Sequence, residues 1–138
     1  MIITNGKKEA FRTDEYGKNL INAINTSQTY VTFNMECDGF FEENSILKFE
    51  AKKYRANGEI INTIDIMAQP SNPLHPYITQ VTGLSSDMFN NALNQKEAIR
   101  QINNFINDVD VIIGYNIFID LDFLIKKGIL YCIGNSLC

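Results

Sequence analysis

From Tyr30 to Gly39 the chain reads YVTFNMECDG, and its apolar residues alternate with polar ones. Val31, Phe33 and Met35 fall on one side, Thr32, Asn34 and Glu36 on the other. That is the two-residue period of a strand with one face in a core and one polar face. Asn34 and Glu36 therefore point the same way, about 7 Å apart along the strand. A strand that sets two metal-capable side chains side by side and then ends at a glycine constrains the rest of the chain to build a sheet around it.

With 138 residues the chain is expected to form one domain with a single core. No apolar run approaches the length of a bilayer span, so no membrane association is expected. The N-terminal MIITNGKKEAFRTDEYGK lacks the long apolar stretch of a secretion signal, which makes a cytoplasmic home the expectation. Cys37, Cys132 and Cys138 are an odd set without paired spacing and read as free thiols. They do not make a zinc site with the single His75. A net charge of -4 argues against a broad basic footprint for nucleic acid. An enzyme that grips one or two phosphates through metal ions stays open.

Residues 1–29 read as an N-terminal helical extension, with a helix from Asp14 to Asn25, Thr13 as its N-cap and Tyr16, Leu20, Ile21 and Ile24 on one face. After the first strand, Ser45–Tyr54 and Glu59–Met67 flank Ala56-Asn57-Gly58, a strong hairpin signal. Lys52, Lys53 and Arg55 near its end read as a solvated edge that resists sheet-to-sheet pairing, in preference to a nucleic-acid contact. Residues 68–94 read as a long connection with Pro70, Pro73 and Pro76, in which His75 is a turn residue and Ser85 caps a short helix.

Asn94 and Glu97 form a capping-box pattern ahead of the stripe Ala98, Ile99, Ile102, Phe105 and Ile106. Val109–Ile113 is a buried strand. A last helix runs from Ile117 to Lys127, with Lys126 and Lys127 at its negative end and Gly128 at C′. Ile117, Leu121, Leu124 and Ile125 share its inner face, while Asp120 lies more than 90° from Leu121 and Asp122 faces solvent. The order of elements gives an α/β domain with a mixed sheet. Carboxylates from a central strand and a flanking helix suit hard divalent ions such as Mg²⁺ or Mn²⁺.

The chain resembles the DnaQ-like DEDD exonuclease family over about residues 30–128. The first motif of that family, Asp-x-Glu followed closely by Gly, is matched by FNMECDG, with Asn34, Glu36 and Gly39 in place. PLHPYITQVTGLSSDM resembles the middle of the pattern, and YNIFIDLDFL the second motif, with Tyr115, Asn116, Asp120, Phe123 and Leu124 on matching positions and Ile119 where Phe is usual. The resemblance implies an RNase H-like mixed sheet flanked by helices, and removal of nucleotides from single-stranded 3′ ends by two metal ions roughly 4 Å apart. It implies Glu36 and Asp120 as catalytic residues. Asn34, Glu36 and Asp120 would hold Mg²⁺ or Mn²⁺, and Thr82, Tyr115, Asn116 and Phe123 would bind substrate. A polymerase or helicase context, with DNA as the substrate, is the setting it implies.

Besides Ile119, the chain departs from the pattern at its first acid and in its third motif. Asn34 stands where the family has the acid that bridges both metals, and an amide oxygen carries no charge. The third motif should add a His and a fourth carboxylate, yet no Asp, Glu or His follows Asp122. Residues 30–138 therefore read as an exonuclease-like domain truncated at its C-terminus and lacking the last family elements, with binding of metal weak and catalysis impaired. Truncation, a frameshift, a deliberate carboxylate-to-amide change and a degenerate nucleic-acid- or protein-binding module all fit that pattern. Apolar Leu130, Tyr131, Ile133 and Leu137 would then seek cover against the body or in a second chain, so self-association is expected.

Overall fold

The computed structural model describes residues 2–4, 10–11, 29–114 and 117–129. The strand of Thr29–Cys37 (β3) lies inside a six-stranded sheet ordered β2-β1-β6-β3-β4-β5. Its members are β1 (Ile2–Thr4), β2 (Ala10–Phe11), β4 (Ile46–Arg55), β5 (Ile60–Met67) and β6 (Val111–Ile113). β3 and β6 are parallel, and every other neighbouring pair is antiparallel. The mixed sheet expected from the sequence is therefore present. β1 pairs with β6 and was not anticipated, because three residues are too few to display a period. The helix expected over Asp14–Asn25, with Thr13, lies outside the described residues, as do Leu130, Tyr131, Cys132, Ile133, Leu137 and Cys138.

The alternation in β3 has the expected consequence. Val31 is fully buried, with Phe33, Met35 and Cys37 packed on the same side, while Asn34 is exposed on the other face. Phe33 stacks on Phe49 of β4 at 5.6 Å between ring centroids. Against this apolar face lies the helix Gln95–Ile106 (here α2), through Ile102, Phe105 and Ile106. Its N-cap is Asn94, whose side chain accepts the Glu97 N–H at 2.8 Å. The Glu97 carboxylate turns to Arg100 and Gln101.

The hairpin between β4 and β5 forms at the expected place. Gly58 N–H donates to the Arg55 carbonyl and Arg55 N–H to the Glu59 carbonyl, closing a three-residue loop with Gly58 at φ +91°. The lysines of β4 do not form a sheet edge, however. β4 is an interior strand and β5 is the edge. Lys53 is mostly covered, paired with Asp108 at 3.0 Å and lying 4.9 Å from the Phe105 ring centroid.

The connection after β5 is also more ordered than its prolines suggested. Pro76–Thr82 forms a short helix (α1) ending at Gly83 in the left-handed conformation, φ +75°. His75 is its N-cap, with Nδ1 accepting the Tyr77 N–H at 3.1 Å. Pro76 at the first position supplies a preset φ and lacks only a donor that would have been orphaned. A 3₁₀ turn follows at Ser86–Phe89, with Ser85 at its N-cap but no side-chain capping bond.

Candidate active site

Because β3 and β6 run parallel, their C-terminal ends open at the same end of the sheet. The Asp110 carboxylate fixes their register by accepting the Thr29 N–H at 2.8 Å. The helix Ile117–Lys126 (α3) follows β6, and its first turn carries Asp120. Glu36 is the penultimate residue of β3. The fold brings Asp120 within reach of the charge of Glu36, and Asn34 stands two residues before Glu36 on the same strand. Asp122 is exposed and pairs with Lys126 at 2.9 Å, clear of the site.

The Asp120 carboxyl senses the charge of Glu36. Burial first, and then the negative charge of Glu36, push the Asp120 carboxyl from its ordinary 3.8 up to about 6. Burial likewise pushes the Cys37 thiol up to about 11, keeping it protonated and inert beside them. Asn34 faces Glu50 across the β3–β4 ladder, and Glu36 faces Lys48. Among the described residues no cluster of three His, Cys, Asp or Glu side chains is placed to hold a metal ion. Two carboxylates and an exposed amide fit one oxygen-seeking cation. They do not fit the pair of bridged ions that the family pattern implies.

The loop between β3 and β4 forms one wall. Asp38 N–H donates to the Ser45 carbonyl, and the Asp38 carboxylate accepts the Ser45 N–H. The Asn44 side chain accepts the Phe41 N–H at 3.0 Å and donates to the Asp38 carbonyl at 3.4 Å. Gly39 adopts φ +152°, and a Cβ there would stand 2.6 Å from Asn44 Cγ. Only glycine fits this position without displacing the amide. The loop holds Phe40 and Phe41 outward, 48% and 73% exposed.

The expected substrate contacts divide. Tyr115 and Asn116 lie outside the described residues. Phe123 is fully buried and is a core residue, whose edge-to-face contact at 5.9 Å supports Phe40. It replaces Ile125 on the inner face of α3. Ile125 is 38% exposed, whereas Leu121, Phe123 and Leu124 are buried. The reason is that Phe123 fills the space beneath the β3–β4 loop. Thr82 uses its hydroxyl locally, donating to the Ile78 carbonyl at 2.7 Å and accepting the Leu84 N–H at 3.1 Å. Gly128 ends α3 as expected: at φ +109° it lets Ile129 N–H reach the Leu124 carbonyl at 3.0 Å.

Sequence reasoning missed Lys48, and placed Lys127 at the helix end without its contact to the β3–β4 loop. Lys127 donates to the Glu42 carbonyl and lies 5.5 Å from the Phe123 ring, tying α3 to the loop wall. Its spacing to Glu42 carries no local signal. The strand period puts Lys48 on the face of Glu50, but its place opposite Glu36 follows only from the ladder register.

Residues 32–133 match a family model described as exonuclease. The chain is 33% identical over 98 residues to the PolC-type DNA polymerase III of Bacillus subtilis, covering 70% of this chain and 7% of that protein. It is 31% identical over 107 residues to the Latilactobacillus sakei PolC-type polymerase, covering 77% and 7%. The chain thus spans less than a tenth of the curated relatives it matches. Among solved structures, E. coli exonuclease I in complex with a dT13 oligonucleotide superposes with a TM-score of 0.62 at 16% identity, over 71% of this chain and 23% of that one. A product-bound exonuclease I gives 0.61 over 71% and 24%, also at 16% identity. Both are likenesses of fold.

Proposed function

The chain belongs to the exonuclease family, and from that premise we propose that it binds the 3′ ends of single-stranded DNA at the Glu36–Asp120 site and hydrolyses them slowly. The observation that carries the reading is the convergence of Glu36 and Asp120 from parallel β3 and the helix after β6, with the Asp120 carboxyl pushed up to about 6. Paired acids held in a partly desolvated site at a raised energy are characteristic of functional centres.

Glu36 and Asp120 are the residues that would hold a divalent cation, with the Asn34 amide as a neutral third donor. The chemistry such a cation supplies when bound is Lewis-acid activation of water and of the phosphodiester. Asn34 brings no charge to that task, which is why turnover should be slow. Phe40 and Phe41, on the loop that follows Glu36, offer exposed rings on which terminal bases would stack. The PolC-type relatives support a setting beside a DNA polymerase.

A 5′-labelled single-stranded oligonucleotide tests this with a free and a 3′-phosphorylated end. Binding is followed by anisotropy, and cleavage on a gel with Mn²⁺. Preference for the free 3′ end and a trace ladder that Asp120→Ala removes are expected. Absence of binding would sink the reading. Rapid degradation stopped by Glu36→Ala would overturn the slow-turnover half and leave the binding half standing.

A further inference from the structure

Lys48 is the cation directly across the ladder from the candidate site that neither motif contains. It lies directly opposite Glu36 on the neighbouring strand. Side chains paired in this way have Cβ atoms about 5 Å apart on the same face. Its ammonium is anchored by the Glu50 carboxylate at 2.5 Å, and Glu50 is the direct cross-strand partner of Asn34. Asp65 on β5 faces Glu50 from the other side. The negative charges of Glu50, Asp65 and Glu36 all act on Lys48. A positive charge therefore stands on the rungs that hold Asn34 and Glu36, and its anchor belongs to the same row.

We propose that Lys48 is the resident cation of this site, balancing Glu36 where the donor set holds too little charge for a second metal ion, and contacting the terminal phosphate of a bound strand. The phosphate contact rests on the function proposed above. The balancing of Glu36 does not, and the two are separable.

Two affinities separate them because they move in opposite directions. Removing a unit positive charge from beside a divalent cation strengthens its binding, by about threefold to tenfold after solvent screening. Removing a phosphate contact weakens the oligonucleotide, and lowers the salt slope by about 0.7 for a single strand. A loosened fold would weaken both.

The test measures Mn²⁺ binding by electron paramagnetic resonance, and binding of a dT oligonucleotide in EDTA across a salt series. Lys48→Met should bind Mn²⁺ at least threefold more tightly than wild type, and bind the oligonucleotide at least threefold more weakly with the smaller slope. Lys48→Arg should match wild type in both. Lys52→Met removes a charge four rungs along the ladder from Glu36, opposite Thr32, and should leave Mn²⁺ affinity within twofold. Lys48→Gln supplies the same readouts where the Met variant does not fold. Equal or weaker Mn²⁺ binding by the folded Lys48 variant, or none by either protein, overturns the proposal. A wild-type chain that binds Mn²⁺ but no oligonucleotide refutes the function and the phosphate contact together, and the Mn²⁺ comparison still decides whether Lys48 balances Glu36.

Discussion

Replacing Asp120 by Asn should make the protein more stable at neutral pH, although it removes a residue assigned to the site. The carboxyl is raised from 3.8 to about 6 in the folded chain, chiefly by burial and then by Glu36. For an acid, a raised folded value means that the fold prefers the protonated form. Below pH 3.8 the group is protonated in both folded and unfolded chains, and no penalty exists. Between about 3.8 and 6 the unfolded chain ionises first and the penalty grows; above 6 it is complete. The full difference corresponds to about 3 kcal/mol at 1.36 kcal/mol per pH unit. Because the group is only half-buried, roughly 2 kcal/mol is the realistic size. At this chain length 1 kcal/mol moves Tm by about 3 °C, so Asp120→Asn should melt roughly 6 °C higher at pH 7.5 in EDTA. At pH 3.5 the two proteins should melt together. Thermal unfolding followed by circular dichroism across that range reads both limits. An Asn variant that melts lower at every pH would refute the reasoning, since Asp120 would then be a structural partner and not a strained acid.

Two other substitutions test neighbouring parts of the site. Asn34→Asp places a third carboxylate on the strand end with Glu36, and should tighten Mn²⁺ by about tenfold in a calorimetric titration, because one more anionic oxygen donor enters the set. Gly39→Ala should lower stability by about 2–3 kcal/mol in a thermal melt, since it forces a strained φ and dislodges the two hydrogen bonds of the Asn44 amide.

What the sequence made legible depended on the range of the signal. Asn34 and Glu36 could be assigned to one polar face because a strand repeats every two residues, and Asn94 and Gly128 because caps are written within four residues of the helix they close. The α1 helix was missed because none of its residues is buried, so it has no apolar stripe. Its signals were the His75-Pro76 start and Gly83, which also fit a loop. Phe123 was misassigned for a different reason. Whether it faces substrate or core is decided by the β3–β4 loop above it, through a contact more than eighty residues distant in sequence. Lys48 became relevant only once the ladder register was known. That register is set by the bulge between Glu36 and Cys37 and by the Asp38–Ser45 bonds, which no local pattern encodes.

The amide at position 34 and the lysine at 48 act on the same quantity. A carboxylate at 34 would add negative charge beside Glu36, whose field already raises Asp120. Without a bound cation, such a cluster would resist ionisation further and weaken the fold above pH 6. The amide removes that charge, and Lys48, pinned by Glu50 opposite Asn34, returns a positive one to the row. Both changes lower the free energy of the cation-free site and both reduce its attraction for a divalent ion. A hydrolytic site gains from the reverse bias, because charge left unbalanced by the protein is what draws the metal. A site that only needs to hold a strand end gains from the bias seen here: a fixed ammonium meets a phosphate without requiring an ion, and the exposed Phe40 and Phe41 need none either. Under the function proposed above, the electrostatics of this sheet end therefore favour retention of the 3′ end over its removal.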